Sequence, residues 1–219
     1  MTTLVSDAAR YDSWFDTSWG RYAAEVEYSL VLRALKPEPL ERILDAGCGT
    51  GRFSERLGEY GATVIGVDHD PNMLELAKAR SRGVALADAH RLPFESGVFD
   101  ATLAVTLCEF SGDPGGVVDE LARVTRPGGR VVIGLLNRNS PWGWLRRKRL
   151  KRPPWSDAVF VDAQTLRSKV GTYGTTSLTS GLFSPGTALP WSLTRLIESA
   201  GRRLVPKRGA FQVIAMVRQ

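Results

Sequence analysis

The sequence feature that most constrains the fold is the stretch "LDAGCGTG", which runs from Leu44 to Gly51. Three glycines alternate with other residues at the end of a short apolar run, directly after Asp45. Glycine permits positive φ angles and lets a ligand approach the backbone closely. An apolar strand followed by such a loop, which leads into a helix, is typical of an α/β protein whose ligand lies on the loop.

The pattern around this loop predicts a doubly wound, mostly parallel α/β sheet. Apolar runs of strand length alternate with helical segments over residues 40–136, which indicates strands covered by helices on both faces. Two helices are predicted to begin at Asp-Pro pairs, capped by Asp70 and Asp113. The "PGG" at 127–129 is interpreted as a turn before a fifth strand at 130–136.

The remaining elements are predicted from shorter patterns. Helices are expected over 23–35 and 162–170, and another over 189–201 is expected to stop at Gly201. A terminal strand is expected at 211–217, and its neighbour is left open between residues 175–183 and 202–209.

The length of 219 residues suits a single domain, 1–219. We divide it into an N-terminal aromatic segment (1–36), a core (38–136), an insertion with substrate-side elements (137–190) and a closing helix and strand (191–219). The first ten residues lack the apolar region of a signal peptide, and no apolar run has the length of a membrane span. Cys48 and Cys108 are too few for a disulfide framework or a cysteine-based zinc site. We therefore expect a cytoplasmic protein without a metal site.

Acidic residues end three successive predicted strands: Asp45, Asp68 and Asp88. Carboxylates at the ends of parallel strands lie along one sheet edge, where a row of this kind fits an adenosine that carries a positively charged group. The glycine spacing is G-x-G-x-G. Dinucleotide enzymes use G-x-G-x-x-G, which would place the bulky Arg52 where helix and strand pack closely. The spacing therefore disfavours an NAD-dependent oxidoreductase.

Five stretches, in this order, resemble the motifs of class I S-adenosylmethionine-dependent methyltransferases of the small-molecule type, related to the ubiquinone and menaquinone biosynthesis enzymes. They are "ILDAGCGTGRFS", "VIGVDHDPNML", "ALADAHRLPF", "FDATLAVTL" and "LARVTRPGGRVVI". The resemblance covers roughly residues 40–136. It implies a Rossmann-like seven-stranded sheet with an antiparallel last strand, and S-adenosylmethionine as the cofactor, with S-adenosylhomocysteine as the product.

The resemblance also implies roles for individual residues. Asp68 would hold the ribose, Thr106 would lie under the sulfonium, and the methionine part of the cofactor would contact the backbone of Gly47 and Gly49. The adenine would contact Asp88 through its amino group and the Ala89 N–H through a ring nitrogen. Two assignments stay open. Asp45 either contacts the cofactor's amino group or braces the loop, and His69 either flanks the adenine or lies on the surface.

No strong catalytic residue is evident. Many relatives carry a histidine or another polar residue near 107–110, but here the run is "LCEF", which leaves Glu109 as a weak acid–base candidate and Cys108 as a packing residue. In-line displacement at a sulfonium methyl group depends mainly on positioning, so a base need not be present.

The first 22 residues are rich in aromatic side chains. They either pack on the core or form a lid over the cofactor and acceptor. By resemblance, Tyr11 is assigned to the cofactor's methionine carboxylate, while Trp14, Phe15 and Trp19 are assigned to the acceptor wall.

Part of the net charge of +6 is concentrated in residues 145–152, which read "LRRKRLKR". Three tryptophans lie near this stretch in the sequence. This stretch is interpreted as a solvated loop, with a weak contact of 146–152 with an anionic surface as the alternative. We expect no stable nucleic-acid or membrane partner. The sequence thus predicts methyl transfer to an unidentified small-molecule acceptor, with an RNA methyltransferase or a non-catalytic cofactor-binding protein of the same fold as alternatives.

Overall fold

A computed structural model describes residues 2–137, 139–141, 158–184 and 191–219. In these residues one sheet holds seven strands in the order β3-β2-β1-β4-β5-β7-β6. The strands are β1 (Arg42–Ala46), β2 (Thr63–Asp68), β3 (Gly83–Leu86), β4 (Phe99–Val105), β5 (Thr125–Leu136), β6 (Gly174–Gly181) and β7 (Phe211–Arg218). Only β7 runs against its neighbours β5 and β6, and the pairings among β1 to β5 are parallel. The predicted fold class is confirmed.

Seven helices accompany the strands in the described residues: α1 (Thr2–Trp14), α2 (Ser18–Leu35), α3 (Arg52–Gly58), α4 (Pro71–Ala77), α5 (Pro114–Val124), α6 (Ala163–Val170) and α7 (Trp191–Leu204). The predicted caps are confirmed. Asp70 accepts from the Asn72 N–H at 2.8 Å, and Asp113 accepts from the N–H groups of Gly115 and Gly116. A carboxylate at this position satisfies N–H groups that the first turn leaves unpaired.

The helices cover the sheet on both faces. Helices α5 and α6 pack on one face, where Leu121 and Leu166 share an apolar cluster with Ile133 of β5. On the other face, Leu35 of α2 and Leu57 of α3 belong to a second cluster. With both faces buried, the functional surface lies at the strand ends. The strand order reverses between β1 and β4, and at such a point a ligand crevice opens beyond the carboxyl ends.

The "PGG" at 127–129 lies within the bounds of β5, but the pairing between β4 and β5 skips it, since Phe99 pairs with Thr125 and Ala101 with Arg130. Gly128 has a positive φ of 75°, so this segment forms a bulge before regular pairing begins at Arg130, in agreement with the predicted turn.

The predicted helix stop at Gly201 was wrong. Helix α7 continues to Leu204, and Gly201 serves close packing, because a Cβ there would lie 2.3 Å from the ring of Phe183.

The open choice for the neighbour of β7 is settled by β6, which pairs with it along Gly174–Gly181. The predicted insertion at 137–190 therefore contains α6 and β6, which belong to the domain itself. The basic stretch 145–152 and the tryptophans at 142, 144 and 155 lie outside the described residues. Within those residues, no helix combines the length and apolar character that crossing a bilayer requires.

Helix α7 is fastened to α2 by a buried carboxylate. Glu198 accepts a hydrogen bond from the Tyr22 hydroxyl at 2.7 Å and others from the backbone N–H groups of Leu182, Phe183 and Ser184. A buried charge is tolerated when hydrogen bonds surround it, as they do here. The contact joins α2, the turn after β6 and α7 into one unit.

Candidate active site

A cavity of about 380 Å³ lies at the carboxyl ends of β1, β2, β4 and β5. This volume falls within the range of about 300–1,000 Å³ that is usual for small-molecule sites. Its lining includes the glycine loop, the ends of β2 and β4, and side chains of α1 and α2. Most residues that the sequence assigned to the cofactor therefore meet in one place.

The glycine loop presents bare backbone to this cavity. Gly47, Gly49 and Gly51 all have positive φ angles, of 68°, 54° and 82°. A Cβ on Gly47 would also come within 2.7 Å of the Leu107 side chain, which lines the same cavity. Both the backbone conformation and the available space therefore require glycine at this position.

Asp68 is fixed against the loop by its own carboxylate. One oxygen accepts from the Gly49 N–H at 2.8 Å, and the other accepts from the Asp70 N–H at 2.9 Å. The side chain is buried, yet it lines the cavity. A carboxylate has about four acceptor sites, so two remain after these bonds. His69 follows at the cavity rim with a side chain that is 80% exposed.

Asp45 is bonded to Ser54 of α3 behind the glycine loop, while its contact with the cofactor's amino group stays a prediction. It is buried and accepts from the Ser54 hydroxyl at 2.7 Å, while burial raises its pKa to about 6. It also belongs to the cavity lining. Cys48 packs over Gly66, and burial raises the pKa of its thiol, so this cysteine is an inert packing residue.

Thr106 lies in the cavity wall with a strained backbone. Its φ is 51°, a region that a β-branched residue rarely enters and that costs on the order of 1–3 kcal/mol. Its N–H donates to the Gly134 carbonyl at 2.8 Å, which holds this conformation at the end of β4. Strain of this kind is concentrated at functional sites.

The N-terminal aromatic residues divide between the cavity lining and the core. Three of them line the cavity: Tyr11, Trp14 and Phe15. The Phe15 ring contacts the other two edge to face, with its centroid 5.5 Å from that of Tyr11 and 4.9 Å from that of Trp14. Trp19 does not line the cavity, contrary to its assignment to the acceptor wall. It contacts Tyr22 and packs against the cluster under α2, because it lies on the first turns of a core helix.

Helix α1 is held to the glycine loop by Asp12. This carboxylate accepts from the Thr50 hydroxyl and from the guanidinium groups of Arg52 and Arg80, at 2.7 to 3.0 Å. Burial alone would raise the pKa of Asp12, but these hydrogen bonds hold it well below its usual range. We call these four residues the Asp12 latch.

Asp88 and Ala89 lie outside the lining of this cavity. The Asp88 side chain is 68% exposed and accepts from the His90 N–H at 2.9 Å, with the His90 Nδ1 at 2.8 Å from the same oxygen. The other ring nitrogen lies 3.1 Å from the Asp113 carbonyl, and the bond to Asp88 raises the pKa of His90. The adenine assignment of Asp88 and Ala89 stays a prediction.

Glu109 is a structural residue and does not line the cavity, which corrects its candidacy as an acid or base. It is 1% exposed, and its Oε1 accepts from the Leu136 N–H. Burial raises its pKa to about 7. Cys108 beside it is also buried, and burial raises its pKa to about 12.

Glu109→Gln is expected to remove a pH dependence of stability. A folded-state pKa raised from 4.5 to about 7 means that the folded chain binds an extra proton between these values. The free energy of unfolding of the wild type therefore falls by up to about 3 kcal/mol as the pH rises through this window. Above the window, Glu109 causes no further loss of stability. Glutamine stays neutral and keeps the acceptor for Leu136.

Denaturant unfolding at pH 4.5 and pH 8 measures this effect. Relative to the wild type, the free energy of unfolding of Glu109→Gln should be higher at pH 8 than at pH 4.5. Glu95→Gln, at an exposed position, serves as the control. An equal difference between variant and wild type at both pH values would contradict the assignment.

Several site residues were not predicted from the sequence. The Asp12 latch joins residues up to 68 positions apart, so no local pattern indicates it. Glu27 lines the cavity from a buried position on α2. A signal for Glu27 was present, since it falls on the apolar helical face formed by Ala23, Val26 and Leu30.

Comparison with known proteins places this geometry in a family. A protein-family model described as a methyltransferase domain matches residues 44–133 of this chain. An uncharacterized protein of Methanocaldococcus jannaschii is 35% identical over 166 residues, which cover 75% of this chain and 76% of that protein. An uncharacterized protein of Mycobacterium tuberculosis is 38% identical over 173 residues, which cover 77% of this chain but only 58% of the relative's length.

The fold is similar to that of a Thermotoga maritima S-adenosylmethionine-dependent methyltransferase, described as a possible histamine N-methyltransferase. The two share 24% identity with a TM-score of 0.76, and all of each chain is covered. The matching domain model describes methyltransferase domains in general, so the likeness to ubiquinone-biosynthesis enzymes stays a prediction. The strand order, the glycine loop and these matches agree: the chain belongs to the class I S-adenosylmethionine-dependent methyltransferases.

Proposed function

We propose that this protein transfers the methyl group of S-adenosylmethionine to a small-molecule acceptor, with both molecules held in the cavity beyond β1, β2 and β4. The observation that carries the proposal is the placement of Asp68. It is a buried carboxylate on the cavity wall, bonded to the Gly49 N–H of the glycine loop. Its remaining acceptor sites match the two adjacent hydroxyl groups of an adenosine ribose.

The other residues of the cofactor side fit the same ligand. The backbone at Gly47 and Gly49 is open to a methionine chain, because neither residue carries a Cβ. Tyr11 lies against Gly49, where a Cβ would be 3.9 Å from its ring. Burial, followed by the charge of Glu27, raises the pKa of Tyr11, so its hydroxyl stays protonated and can donate to the methionine carboxylate.

When bound, S-adenosylmethionine supplies an electrophilic methyl group on a sulfonium centre. The residues of this chain orient the two ligands and exclude water. Thr106 and Leu107 form the wall after β4, while Trp14 and Phe15 cover the opening from α1. Positioning of this kind can supply about 7–11 kcal/mol, so the site needs no dedicated base.

The acceptor side is largely apolar. Phe53 and Phe110 face the cavity together with the lid residues Trp14 and Phe15, and Leu136 closes it at the end of β5. A cavity of about 380 Å³ that also holds the cofactor favours a small acceptor.

The test combines calorimetry with a transfer assay. S-adenosylmethionine and S-adenosylhomocysteine should bind, NAD should not, and label from the cofactor's methyl group should appear in acceptors of a broad panel. NAD binding of equal strength would favour an oxidoreductase. Cofactor binding without transfer to any acceptor would favour a non-catalytic protein, and salt-dependent RNA binding with RNA methylation would favour the RNA alternative.

A further inference from the structure

Helix α7 carries a stripe of apolar side chains on its outer surface. Its members are three or four residues apart, which places them on one helical face: Leu193, Leu196, Ala200 and Leu204. The three leucines are 41%, 65% and 77% exposed, and Val205 directly after the helix is 47% exposed. Isolated exposed apolar residues are normal on a protein surface, but a continuous patch marks a contact with a partner. We call these four helical residues the apolar stripe.

The orientation of α7 is fixed by its other side. Glu198 is buried and accepts hydrogen bonds from the backbone N–H groups of residues 182–184, at 2.7 to 3.1 Å. Thr194 is 3% exposed, and Gly201 packs so closely on Phe183 that a Cβ would not fit. Turning the apolar stripe inward would break these contacts, so the fold itself keeps the stripe on the surface.

The surface around the apolar stripe is strongly basic. Residues 191–208 contain five basic residues, all of them exposed: Arg195, Arg202, Arg203, Lys207 and Arg208. The same range contains a single acidic residue, the buried Glu198, which lies 3.7 Å from Arg202. The exposed surface of this range therefore carries an excess of positive charge. Arginine and lysine can also lay their aliphatic stems along apolar surface while the charged ends stay in water.

Helix α7 is attached at the edge of the sheet where the cavity lies. Residues 182–184, which bind Glu198, directly follow β6. Gly181 at the end of β6 pairs with Phe211, which pairs with Leu136 on its other side. Leu136 belongs to the cavity lining. A partner bound to α7 would therefore lie at the carboxyl edge of the sheet, where the ligands are expected.

We propose that α7 is an interfacial helix, through which this protein binds reversibly to an anionic lipid bilayer. The leucines of the apolar stripe enter the boundary between headgroups and acyl chains, and the surrounding basic residues contact anionic headgroups. A bilayer fits this surface because it offers apolar and negatively charged groups together over a continuous area. A nucleic acid would use the positive charge but not the exposed leucines. The contact is reversible, since only one short stripe of apolar side chains contributes to it.

Co-sedimentation with vesicles tests the inference. One set of vesicles consists of phosphatidylcholine alone, and the other contains equal amounts of phosphatidylcholine and phosphatidylglycerol. At low salt, the full chain should bind the anionic vesicles at least about tenfold more tightly than the neutral ones. High salt should weaken this binding, because it screens the attraction between exposed charges.

The apolar contribution is measured with a pair of leucine variants. Leu196→Ser combined with Leu204→Ser removes the two most exposed leucines of the apolar stripe and should weaken binding to the anionic vesicles at least about tenfold. The control combines Leu40→Ser with Leu86→Ser, which removes leucines that are 87% and 62% exposed outside α7. This control should bind as the wild type does.

The charge contribution is measured with a pair of arginine variants. Arg195→Gln combined with Arg203→Gln removes two positive charges beside the apolar stripe and should weaken binding to the anionic vesicles at least about fivefold. Arg21→Gln combined with Arg33→Gln removes the same charge from exposed positions on α2 and should have little effect. All four positions are exposed, so thermal unfolding should be unchanged in both variants.

Four results would overturn the inference. The first is failure of the wild type to bind anionic vesicles at low salt, and the second is undiminished binding by the Leu196→Ser, Leu204→Ser variant. The third is self-association of the wild type that this variant abolishes in sedimentation velocity, which would assign the apolar stripe to a second copy of the chain. The fourth is RNA that displaces the vesicles and binds wild type and leucine variant equally, which would assign the basic residues to a nucleic acid.

Discussion

Asp68→Ala should weaken the binding of S-adenosylhomocysteine at least 100-fold. The substitution removes a charged acceptor for the ribose hydroxyls, and hydrogen bonds to charged groups contribute about 1.5–3 kcal/mol each. It also removes the partner of the Gly49 N–H, which Asp68 accepts at 2.8 Å, so the glycine loop loses a contact that fixes its shape. Both losses act on the same ligand, and titration calorimetry measures their sum.

Glu75→Ala is the control for this experiment. Glu75 carries a carboxylate on α4, lies outside the cavity lining and has a side chain that is 71% exposed, so its removal should change the affinity by less than about threefold. An Asp68→Ala protein that binds as tightly as the wild type would refute the ribose assignment. Asp68→Asn tests the charge separately, because the amide retains one acceptor oxygen.

Asp12→Ala should release helix α1 from the glycine loop. The Asp12 side chain is only 17% exposed and pairs with two guanidinium groups that are 22% and 21% exposed. Breaking a largely buried pair by removing one partner costs about 3–5 kcal/mol, because charges are left uncompensated. This cost falls on the docked position of α1, in which Tyr11 and Trp14 line the cavity.

Hydrogen exchange of residues 2–14 and cofactor calorimetry measure the release. Exchange in α1 should become at least tenfold faster, and the affinity for S-adenosylhomocysteine should fall, while exchange in the sheet strands stays slow. Asp16→Ala is the control, since Asp16 is 73% exposed and lies 3.6 Å from Arg52. Unchanged exchange in Asp12→Ala would show that α1 is held by packing alone.

The lid is better tested by this substitution than by deleting residues 1–22. Such a deletion would remove the first turns of α2, including Tyr22, which is buried and bonds to Glu198. A deletion of residues 1–15 removes α1 and leaves α2 intact. The lid interpretation thus concerns α1 and stays a prediction, while α2 packs in the core.

The sequence predicted the features that depend on local chemistry. The glycine loop and the Asp-Pro helix starts could be predicted, because each depends on a residue type that few other backbone conformations require. The alternation of strands and helices was readable because strands covered on both faces must be continuously apolar.

Features that depend on distant partners were not predictable in this way. A glycine within a helix has the same local pattern as a helix stop. The role of Gly201 is set by Phe183, which approaches it from the turn after β6. Similarly, nothing in the local sequence distinguishes Asp12 from the other acidic residues of the N-terminal segment. Its partners Arg52 and Arg80 approach it only in the folded chain.

The position of β7 has a consequence for the order in which the sheet can be completed during synthesis. The five strands β3-β2-β1-β4-β5 pair with one another within residues 42–136. Strand β6 pairs only with β7, and the outer edge of β5 also waits for β7. Until residues 211–218 leave the ribosome, both edges present unpaired N–H and C=O groups, which are templates for association with other chains. A nascent chain stalled before residue 211 would therefore hold the completed glycine loop and an aggregation-prone edge at the same time, and pairing of β7 with β5 and β6 removes that hazard.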